Sequence, residues 1–307
     1  MIIMKRRKIL VVEPISCEAI IALTSKFDVL VEILPNKKRL LELIEDKEII
    51  ILRSRIKLDK EIIFAAKNLK LIAMAGIGVD HIPLDELKKR GIAWLNVPDL
   101  SARDVAEFTL GMTLALARKL CLADSLLRNN EWRRNELIGV SLIDKTFGVV
   151  GYGKIGKETS YLAKCFGMNV LVSVRNSEKN KFDENITPVS FHQLLKTSDI
   201  ISIHLPLTDE TRGLFSQKEF ELMKETALLI NTARGGIINE EALYNALKSR
   251  TIRGAALDVF EQERQYNRLF ELDNIIVTPH IGAMTQEAQG EIGIHIVEKI
   301  LDFFREN

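Results

Sequence analysis

Net charge is what this chain most lacks: 43 Lys and Arg stand against 42 Asp and Glu, leaving a formal +1. That balance implies neither a nucleic-acid track nor attraction to an acidic membrane surface. Cysteine is scarce as well. Cys17, Cys121 and Cys165 are single, far apart and odd in number, so they read as reduced core or surface thiols rather than a disulfide framework. No CxxC, HxH or HExxH spacing occurs, and no metal site is expected. Long apolar runs are also missing. The longest, Phe108 to Ala117, stops at Arg118 and is too short to span a bilayer. The apolar stretch after the basic start, Ile9 to Val12, is too short for a signal peptide, so a cytoplasmic protein is expected. Glutamine is rare beside abundant lysine and glutamate, a balance associated with heat tolerance.

What is present is a soluble composition, 47% hydrophobic and 28% charged, in 307 residues, a length that suits two domains. Apolar β-type runs alternate with helical patterns almost from end to end. The strand candidates are Ile9–Val12, Val29–Leu34, Ile49–Leu52, Leu71–Met74, Ala93–Asn96, Phe147–Val150, Val170–Val174, Ile200–His204, Ala227–Asn231, Gly254–Asp258 and Ile275–Thr278. Such alternation calls for an α/β protein with parallel sheets covered by helices on both faces. Pro98, in Val97-Pro-Asp99, marks a boundary, and Ser101-Ala-Arg-Asp104 reads as a capping box opening one long helix to Arg128. That helix is apolar nearly all round, so it is expected to be buried, in the core or against another subunit.

Gly151-Tyr-Gly-Lys-Ile-Gly156 follows the run Phe147–Val150 and precedes a helix-compatible stretch. In that context the first glycine serves a tight strand-to-helix turn and the second lets backbone approach a pyrophosphate. The third lets the helix pack close to the strand, with its N-terminal amides facing the anion. Gly151, Gly153, Lys154, Ile155 and Gly156 are therefore candidate cofactor contacts. The next strand ends at Val174-Arg175, where an NAD site usually carries Asp or Glu on the ribose 2′-OH. Arg175, with Ser177 and Lys179 nearby, instead offers a cation to a 2′-phosphate, so NAD(H) or NADP(H) is expected with a lean to NADP(H). His204-Leu205-Pro206 ends another strand and could flank the adenine ribose.

Three later strand ends carry Asn231-Thr-Ala-Arg234, Asp258 with Glu263 beyond it, and Thr278-Pro-His280. An arginine, a carboxylate and an imidazole at neighbouring strand ends fit hydride transfer to a 2-keto acid. His280 would protonate the developing alkoxide, Glu263 would orient and charge the imidazole, and Arg234 would grip the substrate carboxylate and carbonyl.

These pieces, in order with Leu52-Arg-Ser-Arg55, Ala75-Gly-Ile-Gly-Val-Asp80, Val105-Ala-Glu107, Leu257-Asp-Val-Phe260 and Pro279-His-Ile-Gly-Ala283, resemble the D-isomer-specific 2-hydroxyacid dehydrogenases. The 3-phosphoglycerate dehydrogenase branch without a regulatory domain is most similar. The resemblance implies two Rossmann-like domains with doubly wound parallel sheets. A discontinuous, flavodoxin-like substrate-binding domain, 1–98 and 284–307, would hold an inserted NAD(P)-binding domain, 99–283. It places the catalytic Arg, Glu and His on Arg234, Glu263 and His280. It puts a substrate-carboxylate loop that binds through backbone amides on Ala75, Gly76, Ile77 and Gly78. It adds Thr211, Thr232, Ala233, Asp258, Gly282 and Ala283 to the cofactor contacts. It also implies a homodimer or higher oligomer built on the helix after residue 102.

Arg53, with Arg55 and Arg134 as weaker candidates, would engage a second anionic end, which favours D-3-phosphoglycerate, as in serine biosynthesis. Against this, Met74 stands where many phosphoglycerate enzymes have Arg. Arg264 replaces the Pro usual after the catalytic Glu, and Asp144 replaces a common Gly. The alternatives are an NADPH-dependent glyoxylate/hydroxypyruvate reductase and, from another class, a non-catalytic nucleotide-sensing protein. The partners expected are a small 2-hydroxy or 2-keto acid, with no nucleic acid and no membrane.

Overall fold

The computed structural model describes residues 6–76, 78–79, 81–97, 100–175, 181–183 and 186–306. Ile77, Asp80, Pro98, Asp99, Ser177 and Lys179, named above, lie outside the described residues. The chain divides into two compact units, residues 1–101 with 284–307, and residues 102–283.

The first unit runs β1 (Lys8–Val11), α1 (Cys17–Lys26), β2 (Asp28–Val31), α2 (Lys37–Ile44), β3 (Ile49–Leu52), α3 (Lys60–Ala65), β4 (Leu71–Met74), α4 (Leu84–Arg90) and β5 (Ala93–Asn96). Its sheet is parallel in the order β2-β1-β3-β4-β5, a flavodoxin-like winding. β3 and β4 are buried at every position, which is why they read as unbroken aliphatic runs rather than alternating ones. Ser16, Asn36 and Asp59 cap α1, α2 and α3 through side-chain oxygens, each satisfying an amide of the first turn. Apolar residues of both helical layers close the core, with Leu40, Ile44, Ile62 and Ile63 on one face. Ala19, Leu23, Ile292 and Ile296 close the other.

The second unit runs α5 (Ala102–Ala117), α6 (Leu120–Arg128), β6 (Thr146–Val150), α7 (Lys154–Cys165), β7 (Asn169–Ser173), β8 (Ile186–Pro188), α8 (Phe191–Thr197), β9 (Ile200–Ile203), α9 (Gln217–Leu222), β10 (Leu228–Asn231), α10 (Glu240–Lys248), β11 (Gly254–Leu257) and β12 (Ile275–Val277). α11 (Gln286–Glu306) then belongs to the first unit. The seven-stranded sheet is parallel in the order β12-β11-β10-β9-β6-β7-β8, so the winding reverses between β6 and β9. A doubly wound sheet binds its ligand at that reversal, beyond the carboxyl ends of the strands.

Two elements differ from expectation. The single helix to Arg128 is two, because Lys119 takes a left-handed φ of 55° and Val140 N–H donates to Ala117 O at 2.9 Å. The loop returning at Gly139–Val140 thus captures a carbonyl that a continuing helix would need for itself. β8 has no counterpart among the candidates. It is three residues long, lies at the sheet edge and ends in Pro188, a pattern with too little apolar signal to read. Cys17, Cys121 and Cys165 are free and exposed. Among the described residues, no helix is long and apolar enough to cross a membrane, and no His, Cys, Asp and Glu cluster could hold a metal.

Candidate active site

The glycine turn after β6 is built around backbone proximity. Gly151 has φ +99°, and a Cβ there would lie 2.4 Å from His204 O, on the loop leaving β9. A Cβ at Gly156 would lie 2.2 Å from Gly151 O, so the third glycine lets α7 sit against the turn. Gly153 differs: a Cβ there would meet nothing within 4 Å, and as N-cap of α7 it makes no side-chain hydrogen bond. Two glycines therefore serve the fold, while the middle one leaves open space at a helix N-terminus. That cradle fits the pyrophosphate of a dinucleotide.

The flanking cofactor candidates fall into several arrangements. Val174 packs against the core cluster of β6 and β7. Arg175 is exposed, and its guanidinium forms an ion pair with Glu210, a residue that no sequence pattern singled out. The ring of His204 turns inward, with Nε2 at 2.9 Å from Ser202 Oγ. Burial pushes its pKa down to about 3, so the imidazole is neutral. Leu205 packs on the core, and Pro206 O accepts Thr211 Oγ1–H at 2.7 Å, closing the turn after β9.

β10, β11 and β12 end in register, Asn231 opposite Leu257 and Leu257 opposite Val277. Asn231 is buried and holds its own loop: its Oδ1 accepts Ala233 N–H at 3.0 Å and its Nδ2 donates to Arg234 O at 3.0 Å. Thr232 Oγ1 meets Thr109 Oγ1 of α5 at 2.8 Å. Arg234 Nη1 donates to Ala233 O at 2.7 Å. A Cβ at Gly235 would lie 1.9 Å from Phe260 O, so only glycine lets this loop lie against the one that leads to Glu263.

Asp258, 1% exposed, is the anchor of the third loop. Its Oδ1 accepts from Thr278 Oγ1 at 2.6 Å and Ile281 N–H at 2.9 Å, and its Oδ2 accepts from Gly282 N–H at 2.8 Å. These bonds bracket His280, which takes φ +58°, a conformation few side chains adopt without support. His280 Nδ1 lies 2.7 Å from Glu263 Oε1, with both side chains about one-third exposed. A carboxylate only accepts, so Nδ1 is the donor and Nε2 is left to handle a proton. Arg264, next to Glu263, has φ +66°, which a proline ring forbids, so this loop departs from the form a Pro would impose. Asp144 likewise has φ +59°, which explains why glycine suits that position.

In the first unit, Arg53 follows β3. Its N–H, with those of Arg55 and Ile56, donates to the buried carboxylate of Glu13 at 3.0 to 3.1 Å. The guanidinium bonds Gln289 of α11, and burial pushes its pKa down while Glu13 opposes the shift. Ala75 and Gly76 correct one expectation. Their amides already donate to Leu52 O at 2.8 Å and Met74 O at 2.9 Å, so these two shape the loop rather than donate to a carboxylate. Gly78 is the remaining described residue of that loop. A Cβ at Gly76 would meet nothing within 4 Å, so its glycine is not required by packing. Met74 is fully buried, an interior strand position rather than a ligand contact. Arg134 lies in an exposed turn of 3-10 helix, Arg134–Leu137, of the second unit.

The family model described as D-isomer specific 2-hydroxyacid dehydrogenase, NAD binding domain, matches residues 110–282. A D-3-phosphoglycerate dehydrogenase from Methanocaldococcus jannaschii is 41% identical over 306 residues, covering 97% of this chain and 57% of that protein. The chain thus spans little more than half the length of that relative. A hydroxypyruvate reductase from Thermotoga maritima is 41% identical over 303 residues, covering 97% of this chain and 98% of that one. Among solved structures, a D-lactate dehydrogenase from Aquifex aeolicus, complexed with NAD and lactic acid, superimposes with a TM-score of 0.85 at 29% identity. The match covers 98% of this chain and 96% of that one.

Proposed function

The chain belongs to the D-isomer-specific 2-hydroxyacid dehydrogenase family, and on that premise we propose that it interconverts a D-2-hydroxy acid and its 2-keto acid. The observation that carries this reading is the Glu263–His280 pair, 2.7 Å apart, on loops leaving adjacent parallel strands of the same sheet that carries a dinucleotide-type glycine turn. When bound, the nicotinamide supplies or accepts the hydride. The other tasks fall to this chain's residues. His280 Nε2 delivers a proton to the carbonyl oxygen on reduction and removes it from the hydroxyl on oxidation, the change from carbonyl to alkoxide being the moment that needs it. Glu263 holds the ring by Nδ1 and balances the charge it acquires. Arg234 presents a fork for the carboxylate and carbonyl oxygens, aiming the reacting carbon.

The substrate favoured is D-3-phosphoglycerate, with Arg53 taking the phosphate and Gly78, in the loop after β4, the carboxylate. The first unit then serves substrate and the second cofactor. The core position of Met74 favours a second reading, hydroxypyruvate or glyoxylate reduction, because no cation is offered there. Arg175 makes NADP(H) a candidate beside NAD(H). A cytoplasmic homodimer completes the proposal. The exposed apolar side chains Leu120, Leu127, Trp132 and Ile138, on α6 and the loop after it, support a second copy as cover.

Steady-state assays with 3-phosphoglycerate, hydroxypyruvate and glyoxylate, each with both cofactors, test the reading. His280→Ala is expected to lower turnover by about 10²-fold or more while dinucleotide binding persists. Unchanged turnover in that variant would remove His280 as the proton carrier, and no turnover of any of these acids by the parent protein would favour a non-catalytic nucleotide sensor.

A further inference from the structure

We infer that Glu210 sets the dinucleotide selectivity of this protein, by occupying Arg175 and so opposing the binding of a 2′-phosphate. The inference rests on the dinucleotide reading above and adds a residue to it. β7 ends at Ser173, and Val174-Arg175 continue beyond its carboxyl end. β7 pairs with β6, the strand that delivers the glycine turn, so Arg175 stands where the adenosine ribose of a dinucleotide lies in a doubly wound sheet.

Glu210 reaches the same place from the other side of the winding reversal, on the turn after β9. That turn is held by its own threonines. Thr211 Oγ1 donates to Pro206 O at 2.7 Å, Thr208 N–H donates to Thr211 Oγ1 at 2.7 Å, and Arg212 N–H donates to Thr208 O at 2.9 Å. Glu210 therefore projects from a fixed turn, and its Oε2 pairs with Arg175 Nη2. The two side chains are 71% and 66% exposed, so charge rather than packing joins them, and a ligand can reach both.

The consequence follows from the two cofactors' chemistry. A 2′-phosphate adds a charge of about −1.5 to −2 and needs the guanidinium that Glu210 already engages. Glu210 also repels it. A ribose 2′-OH is uncharged and offers a proton that a carboxylate accepts, the service usually given by an acidic residue at the end of this strand. Here the carboxylate comes from a different strand's loop, and it leaves the arginine in place. An exposed ion pair is weak, so the selectivity is graded rather than absolute.

The test is titration of NADH and NADPH, by nucleotide fluorescence or calorimetry, into the parent protein, Glu210→Gln, Arg175→Ala and the double variant. Glu210→Gln is expected to tighten NADPH by about 5- to 10-fold and change NADH by less than about threefold, an effect the size of one exposed charge contact. With Arg175→Ala the gain should shrink, leaving only the relief of direct repulsion. An unchanged NADPH-to-NADH ratio in Glu210→Gln, or the same gain without Arg175, overturns the inference. Failure of the parent protein to bind either dinucleotide would be a separate result, sinking the dinucleotide reading itself.

Discussion

At pH 7 the imidazole of His204 is neutral, because burial disfavours the charged ring, whose Nε2 lies against Ser202 Oγ. Its folded pKa of about 3 lies below the unfolded value of 6.5, so protonation favours the unfolded chain. Stability from this group is complete above pH 6.5 and falls as pH drops from 6.5 towards 3. At about pH 4.5 the loss amounts to roughly 2–3 kcal/mol. His204→Gln should therefore unfold in urea with a smaller stability difference between pH 7 and about pH 4.5 than the parent protein shows. An equal difference would mean that the imidazole is not the acid-sensitive group. Arg175 shows the same dependence on surroundings. Its position next to Val174 was visible as a cation at a ribose-binding strand end, but its partner Glu210 is 35 positions away and belongs to no motif. Glu13 was missed for a related reason: a carboxylate after β1 looks like any surface acid until the loop of residues 53–56 folds over it.

The turn between β6 and α7 separates glycines that the fold needs from one that the ligand needs. At Gly156 an added methyl would meet backbone that cannot retreat, whereas at Gly153 it would enter open space. Gly156→Ala is therefore expected to lower both thermal stability and dinucleotide affinity. Gly153→Ala should leave Tm within about 2 °C of the parent, since it creates no clash and no strained φ, yet weaken dinucleotide binding by about 10-fold or more. Equal dinucleotide affinity in Gly153→Ala would show that the open volume is not the pyrophosphate site. Differential scanning fluorimetry beside a binding titration reads both quantities. Strand positions were readable because β3, β4, β9, β10 and β11 are buried on both faces and so carry continuous aliphatic runs. The break between α5 and α6 was not, since Arg118-Lys119 are acceptable helix formers and the carbonyl capture by Val140 comes from a loop more than twenty residues on.

For the whole molecule, the exposed apolar side chains around α6 call for cover. Leu127 and Trp132 are 56% and 82% exposed. Isolated exposed apolar residues are ordinary, but a cluster on one helix and its following loop suits association. Sedimentation velocity at micromolar concentration should show a dimer for the parent protein and a monomer for Leu127→Glu/Trp132→Glu, with the circular-dichroism spectrum retained. A monomeric parent, or a dimer that survives both charges, would remove this surface as the interface.

Parallel α/β architecture, the glycine turn and the three chemical groups at strand ends all follow from local pattern. Period, apolar runs and short motifs depend on residues close together in the chain. What emerged only on folding is a set of particular contacts between distant residues. The grip of Asp258 on the loop carrying His280, the occupied amides of Ala75 and Gly76, and the pairing of Arg175 with Glu210 are of this kind. Hydrogen bonds and ion pairs of this reach require particular atoms at particular distances. Strand order and loop path set those distances, and no linear spacing encodes them.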